Sequence, residues 1–212
     1  MAVNCQEYCS VSNYLSDNIN NVINNRIKLF YLNARSFRSI NKFELFKQSV
    51  SEIQPQIIAV VETWLRKGEH LFYQLPGYSF FEVSRSDKRG GGLGFYFKNS
   101  LTVTKILKFM GQYEILHVTL LLSSKKSHFM LVYYPREMFA KIVTEHLEEI
   151  LSLMREDVFV LCDFNLNLLA TEAHVQAYVD MLQSYGIHFM NTTFPTRPAS
   201  GSLLDHFSTN IP

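Results

Sequence analysis

Cysteine is scarce in this sequence, and what there is excludes a disulfide framework. The 212 residues include three cysteines, Cys5, Cys9 and Cys162, and Cys162 lies in an apolar stretch that predicts a buried strand. A reducing compartment is therefore favoured, and we predict an intracellular protein, nuclear or cytoplasmic. Cys5 and Cys9 have no second ligand pair nearby, which argues against a structural zinc site.

Excess charge and long apolar runs are also missing. The 20 basic and 19 acidic residues give a net charge of +1, so no global field draws the protein to nucleic acid or membrane, and any polyanion must be bound by local groups. No segment fits a signal peptide or a bilayer span, so we expect a soluble protein. No feature indicates an obligate protein partner. A hydrophobic fraction of 47% with 17 phenylalanines suffices for a sizeable core.

The chain divides by composition into two parts. Residues 1–26 are rich in asparagine and predict a flexible polar leader. Residues 27–212 predict one domain in which strands alternate with helices. Its predicted strands cover 27–32, 56–61, 78–83, 93–98, 101–108, 114–122, 127–134 and 158–161, and its predicted helices cover 41–54, 139–154 and 172–184. Asn41 and Glu44 predict a capping box for the first helix.

Polar side chains follow several of these apolar runs. The strand at 158–161 leads into Asp163 and Asn165, and an extended backbone would direct both side chains to one face, where they can hold a hard cation or a phosphate oxygen. The alternative is that the pair only forms a turn. Asn33, Glu62 and Asp205 close three other apolar runs, which makes a shared site at strand ends the better explanation.

Two further features each allow two interpretations. The run Gly90 to Gly92 favours a tight bend over a phosphate cradle, because a helix does not follow it. The neighbouring Arg85, Lys88 and Arg89 would contact a phosphate backbone or form a solvated loop. Tyr133 and Tyr134 would bring a phenol to the site or pack at a sheet edge.

Four segments in this order resemble the motifs of the endonuclease/exonuclease/phosphatase superfamily, and more narrowly those of the apurinic-endonuclease-like domain of LINE-type non-LTR retrotransposons. The resemblance covers roughly residues 27–210. The segments are Leu32-Asn-Ala-Arg-Ser36, Val61-Glu-Thr-Trp-Leu65, Cys162-Asp-Phe-Asn165 and Leu204-Asp205. Arg89-Gly-Gly-Gly92, Tyr113-Glu114, Val132-Tyr133 and Phe194-Pro-Thr-Arg-Pro198 match further positions of that group.

The resemblance implies an α/β fold, a four-layer α/β/β/α sandwich with two mixed sheets of the DNase I-like type, and Mg²⁺-dependent cleavage of phosphodiesters. It assigns Glu62 and Asn33 to the metal and Asp163 to the attacking water. It assigns Asn165 and Tyr133 to the scissile phosphate, with Asp205 as a further catalytic acid. Hard Mg²⁺ takes oxygen ligands, and uncharged donors stabilise charge that grows on phosphorus.

Two departures from the family pattern matter. Cys162 stands where glycine is usual, so we expect its side chain to crowd the site. The family closes with a strand carrying Ser-Asp-His, and the sequence stops before such a strand, so we expect the last strand to be lacking and the Asp163 strand to have an open edge. Loss of that histidine would cost about 10²–10³ in rate. We interpret His206 as a neighbour of Asp205 without that catalytic role.

Two functions remain open on these grounds. The first is a DNA-nicking endonuclease of the kind associated with a reverse transcriptase. The second is a catalytically impaired remnant of such an element that binds DNA weakly. In the nuclease interpretation DNA would be contacted by Arg85, Lys88, Arg89, Thr196 and Arg197.

Overall fold

The computed structural model describes residues 27–85, 90–135 and 140–211. The chain forms two compact units, which meet in sequence between Leu101 and Thr102. The predicted leader over residues 1–26 lies outside the described residues. None of the helices in the described ranges has the length and apolar character needed to cross a bilayer.

The first unit contains a four-stranded mixed sheet. Its strand order is β1-β2-β4-β3, with β1 parallel to β2 and the other pairs antiparallel. Helix α1 connects the two parallel strands, as a parallel crossover requires. The elements are β1 (Leu29–Asn33), α1 (Ile40–Ile53), β2 (Ile57–Val61), a 3₁₀ helix (Glu69–Tyr73), β3 (Tyr78–Val83) and β4 (Leu93–Lys98).

Helix α1 packs its aromatic face on this sheet. Phe43, Phe46 and Val50 recur at helical spacing and are buried, and they cluster with Phe30 and Tyr96 of the sheet. The predicted capping box is wrong, because the N-cap is Ser39 and its side chain makes no capping hydrogen bond. The buried stripe therefore fixes this helix more than its first turn does.

The second unit contains a six-stranded mixed sheet. Its order is β5-β6-β7-β8-β10-β9, and β7 and β8 are the parallel pair. Leu147, Leu151 and Leu182 of the helices pack with Val160 on one face of the sheet. The elements are β5 (Thr102–Met110), β6 (Glu114–Leu122), β7 (Lys125–Tyr133), α2 (Ala140–Ser152), β8 (Asp157–Asp163), α3 (Ala173–Ser184), β9 (His188–Phe189), a 3₁₀ helix (Pro198–Ser200) and β10 (Asp205–Thr209).

Strand β10 corrects two expectations. Asp205 does not close an apolar strand but begins β10, and it pairs with Asp163 because β10 runs antiparallel to β8. The expected open edge beside β8 is also wrong, since β7 and β10 pair with β8 on its two sides. The antiparallel direction brings the start of β10 to the end of β8.

Two histidines of this unit are buried in a neutral form. His206 is 2% exposed, and its Nε2 lies 2.9 Å from the carbonyl oxygen of Leu166. Burial lowers the pKa of His206 to about 4. His117 is 7% exposed, with its Nε2 3.0 Å from Nδ1 of His128. Burial, followed by the charges of His128 and Lys105, lowers the pKa of His117 to about 4.

Because of these two histidines, we predict that the free energy of unfolding falls in acid. Their folded pKa values lie below the ordinary value of about 6.5, so the unfolded chain binds more protons between about pH 6.5 and 4. Their contribution is complete above that window and is lost as the pH falls through it, by on the order of 2–3 kcal/mol for each histidine. Urea unfolding of the wild type and His117→Gln at several pH values measures this loss.

His117→Gln should lose less stability than the wild type between pH 7 and 4.5. His188→Gln, which removes an exposed histidine of the same unit, is the control and should follow the wild-type curve. Equal pH dependence in all three proteins contradicts the prediction.

Candidate functional site

Four polar side chains form one row across the sheet of the second unit. The register pairs Glu114 with Tyr133, Tyr133 with Asp163, and Asp163 with Asp205. Side chains of directly paired residues lie on the same face of a sheet. The structure therefore brings three predicted site residues together and adds Glu114, which is fully buried.

Next to this row, the same face is apolar over the middle of the strands. Because strand side chains alternate, Leu116 lies two residues from Glu114 on the same face, and Leu131 and Leu161 hold the same relation to Tyr133 and Asp163. All three leucines are fully buried. The row therefore borders a buried apolar layer at this end of the strands.

Asn165 reaches Asp163 through a turn and not through strand alternation. Strand β8 ends at Asp163, and Asn165 has a left-handed backbone with φ of 50°. The backbone N–H of Asn165 donates to Oδ1 of Asp163 at 3.3 Å, and its Nδ2 donates to the carbonyl oxygen of Tyr134 at 2.8 Å. The extended geometry expected from the sequence is wrong, but the two side chains still belong to one local arrangement.

Cys162 and His206 pack on the opposite face. They are a register pair one residue before Asp163 and one after Asp205. Cys162 is fully buried in the core under the helices, with its Sγ 3.6 Å from Oη of Tyr178, and burial raises the pKa of its thiol well above the ordinary value. The expected crowding of the site by Cys162 is thus wrong. His206, as the register partner of Cys162, lies on the face opposite Asp205.

Thr196 holds the start of the Asp205 strand. Its Oγ1 accepts hydrogen bonds from the backbone N–H of Leu204 at 3.0 Å and of Asp205 at 3.1 Å. The sequence assigned Thr196 to DNA contact, whereas its hydroxyl oxygen is engaged in positioning the backbone. Arg197 follows it at partial exposure, and its backbone pairs with Ser202 in an isolated bridge.

Thr196→Val should destabilise the protein because it removes an acceptor shared by two N–H groups. The expected loss in the free energy of unfolding is about 1 kcal/mol or more. Thr196→Ser keeps the hydroxyl and should recover most of that stability. Chemical denaturation of the two variants beside the wild type checks this, and a Val variant as stable as the wild type would contradict the role of the hydroxyl.

The first unit brings Asn33 and Glu62 together at the ends of β1 and β2. Asn33 pairs with Val61, the last residue of β2, in parallel register, and Glu62 is the residue that follows. The segment after β1 then follows Glu62, since Ser36 N–H donates to the carbonyl oxygen of Glu62 at 2.8 Å. Glu62 leaves the strand in a left-handed conformation with φ of 57°.

The glycine run supports the Glu62 loop from the other side. The backbone N–H groups of Thr63 and Trp64 donate to the carbonyl oxygens of Gly92 and Gly91 at 3.1 and 2.9 Å. A Cβ on Gly92 would lie 2.3 Å from Oγ1 of Thr63. The bend interpretation of this run is therefore confirmed, and the close approach explains why residue 92 lacks a side chain.

The indole of Trp64 contacts Glu62 directly. Its Nε1–H donates to Oε2 of the Glu62 carboxylate. Trp64 also has a left-handed backbone, with φ of 56°, and both side chains are partly exposed. The sequence pattern pointed to Glu62 and not to Trp64. The one signal for Trp64 was that the single tryptophan of the sequence stands two residues after this acid.

Gly92→Ala should be more harmful than Gly90→Ala. Both glycines have positive φ, at 87° and 94°, but a Cβ on Gly90 meets nothing within 4 Å. Gly90→Ala should cost about 1–2 kcal/mol for the left-handed backbone alone. Gly92→Ala should cost about 1–3 kcal/mol more, for the collision with Thr63. Urea denaturation measures both, and similar losses would rule out the close approach.

The remaining predicted DNA contacts divide into two groups. Arg85 follows β3 and is partly exposed. Lys88 and Arg89 lie outside the described residues. Glu114 matches a further position of the family pattern, for which no role was predicted. Its signal was a carboxylate at the start of an apolar run.

A sequence profile of the Endonuclease/Exonuclease/phosphatase family matches residues 30–207. The chain therefore belongs to that family. Its members generally depend on a divalent metal. A search of curated proteins finds no match.

Several solved structures resemble this chain at low identity. A mannosyl-6-phosphatase of Bacteroides thetaiotaomicron has a TM-score of 0.64 at 15% identity, covering 85% of this chain and 84% of that one. The endonuclease domain of TRAS1, a telomere-specific non-LTR retrotransposon, has a TM-score of 0.62 at 14% identity, covering 85% and 82%. TDP2 of D. rerio, complexed with a single-strand DNA product, has a TM-score of 0.61 at 14% identity, covering 85% and 82%.

This likeness shows the fold. The two mixed sheets with their helices confirm the predicted α/β fold class of the DNase I-like type. The three neighbours differ in what their names say they act on, so the fold itself does not select the substrate.

Proposed function

We propose that this chain is a Mg²⁺-dependent phosphodiesterase that nicks DNA in the manner of a retrotransposon endonuclease. The observation that carries the proposal is the row formed by Glu114, Tyr133, Asp163 and Asp205, because it aligns a phenol and carboxylates on one face at the ends of adjacent strands. Such a row offers a proton acceptor beside a hydrogen-bond donor, which hydrolysis of a phosphodiester needs.

Side chains of the row and the neighbouring Asn165 take distinct parts in this reaction. Asp163 orients the attacking water and accepts its proton, since a carboxylate is a competent base at neutral pH. Tyr133 donates its hydroxyl proton to a phosphate oxygen. Asn165 uses one amide proton on the carbonyl oxygen of Tyr134, and its second amide proton suits the scissile phosphate. Asp205 supplies a further carboxylate beside Asp163.

The donor set of the first unit suits magnesium. Glu62 and Asn33 present oxygen ligands at adjacent strand ends. Within the described ranges, no three His, Cys, Asp or Glu side chains gather into a metal cluster. Mg²⁺ does not need one, since proteins commonly hold it by one or two carboxylates together with waters and substrate phosphates. When bound, Mg²⁺ stabilises the charge that develops on phosphate.

DNA as the substrate is supported by the neighbours and by local charge. TRAS1 is named as a retrotransposon endonuclease and TDP2 was solved with a DNA product. Arg85 and Arg197 are partly exposed, and the net charge of +1 leaves phosphate binding to such local groups. We propose that both arginines contact the DNA backbone.

A nicking assay on supercoiled plasmid tests this function. We expect Mg²⁺-dependent conversion to the relaxed form by the wild type, and a loss of about 10²–10⁴-fold in rate for Asp163→Asn, which removes the proton acceptor. Glu62→Ala should lose the Mg²⁺-dependent relaxation. EDTA should stop the wild-type reaction.

The control lies on the same strand. Asp157 begins β8, and its carboxylate pairs with Lys125 at 2.5 Å, at the end of the strand opposite Asp163. Asp157→Asn should nick at the wild-type rate. If the wild type relaxes the plasmid no faster than Glu62→Ala does, the proposal is wrong. If it hydrolyses a sugar phosphate but does not nick DNA, the proposed substrate is wrong.

A further inference from the structure

We propose that Trp64 positions the Glu62 carboxylate for the divalent cation and that its fluorescence reports occupancy of that site. The inference rests on the proposed function, because it concerns the same cation. It begins from the hydrogen bond that Nε1–H of Trp64 donates to Oε2 of Glu62.

The backbone of this segment is fixed on two sides. Ser36 and Phe37 donate backbone hydrogen bonds to the carbonyl oxygens of Glu62 and Thr63 at 2.8 and 2.9 Å. The carbonyl oxygens of Gly91 and Gly92 accept from the opposite side. Thr63 between the two side chains is fully buried. The main chain at Glu62 is thus determined by its neighbours, whereas the carboxylate extends from it on a flexible stem.

Two residues in this segment adopt a costly conformation. Glu62 and Trp64 have φ of 57° and 56°, a region that costs roughly 1–2 kcal/mol for residues other than glycine. Strained residues of this kind persist where their side chains perform a task. In these two conformations the indole N–H meets the carboxylate of the residue two positions earlier.

The hydrogen bond has a direct consequence for metal binding. An indole donates one hydrogen bond and accepts none, so it holds Oε2 and leaves Oε1 for a cation. It is uncharged, so it orients the carboxylate without competing with the metal as a lysine or arginine would. A carboxylate already held in one rotamer loses less conformational entropy when it binds. Groups that orient metal ligands are typically worth 10–100-fold in metal affinity.

The first test measures binding without catalysis. Mn²⁺ replaces Mg²⁺ at oxygen sites, and free Mn²⁺ is counted by electron paramagnetic resonance. Trp64→Phe keeps an aromatic ring and the same backbone but lacks the donor. We expect it to bind Mn²⁺ about 10-fold more weakly than the wild type. Glu62→Gln should weaken binding by at least as much. Thermal unfolding confirms that each variant is folded.

The second test is made on the wild type, so its main measurement does not require that a variant fold. Trp64 is the only tryptophan, so paramagnetic Mn²⁺ at Glu62 should quench the intrinsic emission in a saturable way. The control W64F/S79W moves the fluorophore to an exposed position of β3. Ser79 lies in the row of Ile57 and Phe97, four residues along the strands from the row of Val61, or about 13 Å. At Mn²⁺ concentrations that saturate each protein, its quenching should be weaker.

Nicking provides the third readout. The Mg²⁺ concentration at half-maximal rate should rise about 10-fold in Trp64→Phe, while the rate at saturating Mg²⁺ stays near that of the wild type. This split separates a positioning residue from one that contacts the reacting phosphate.

The outcomes separate the inference from the proposed function. Glu62-dependent Mn²⁺ binding with unchanged affinity in Trp64→Phe overturns the role of Trp64 and leaves the nuclease standing. Absence of quenching in a wild type that binds Mn²⁺ through Glu62 overturns it as well. Absence of any Mn²⁺ binding by the wild type removes the metal site itself, and the role of Trp64 with it.

Discussion

The register of β8 against its two neighbours is the constraint on which the second unit depends. Asp163 pairs with Tyr133 on one side and Asp205 on the other. Because strand side chains alternate, a slip of one residue would exchange this polar row for the row of Cys162 and His206. The packing of the buried leucines behind the row and of the helix-covered core on the other face opposes such a slip, since it would move the side chains of each face to the other.

The first unit positions its carboxylate by different means. Glu62 does not lie within a strand but follows one, in a left-handed conformation. Backbone hydrogen bonds from the segment after β1 and to the glycine run hold the loop, and Gly92 permits an approach to Thr63 that a side chain would prevent. Strand pairing places the proposed catalytic row, whereas loop contacts place the proposed metal ligand.

Several elements were predictable because their signals are local. Strands β3, β4 and β6 have the bounds that their apolar runs predicted, since β-branched and aromatic runs that end in turn residues depend little on distant contacts. The buried face of α1 follows from the spacing of Phe43, Phe46 and Val50. The cap at Ser39 and the turn at Asn165 were missed, because backbone conformation at the end of an element depends on what packs there.

The sequence by itself determined the family, the apolar strands, and the residue types of the proposed site: oxygen ligands for a hard cation and uncharged donors for phosphate. Only the tertiary structure decided the faces. In the folded chain, Cys162 and His206 lie on the face opposite Asp163. The hydroxyl oxygen of Thr196 accepts a hydrogen bond from the backbone of Asp205, and the indole of Trp64 donates one to Glu62. The physical reason is that face and partner depend on register between strands distant in sequence and on loop conformations set by their neighbours, neither of which a local pattern encodes.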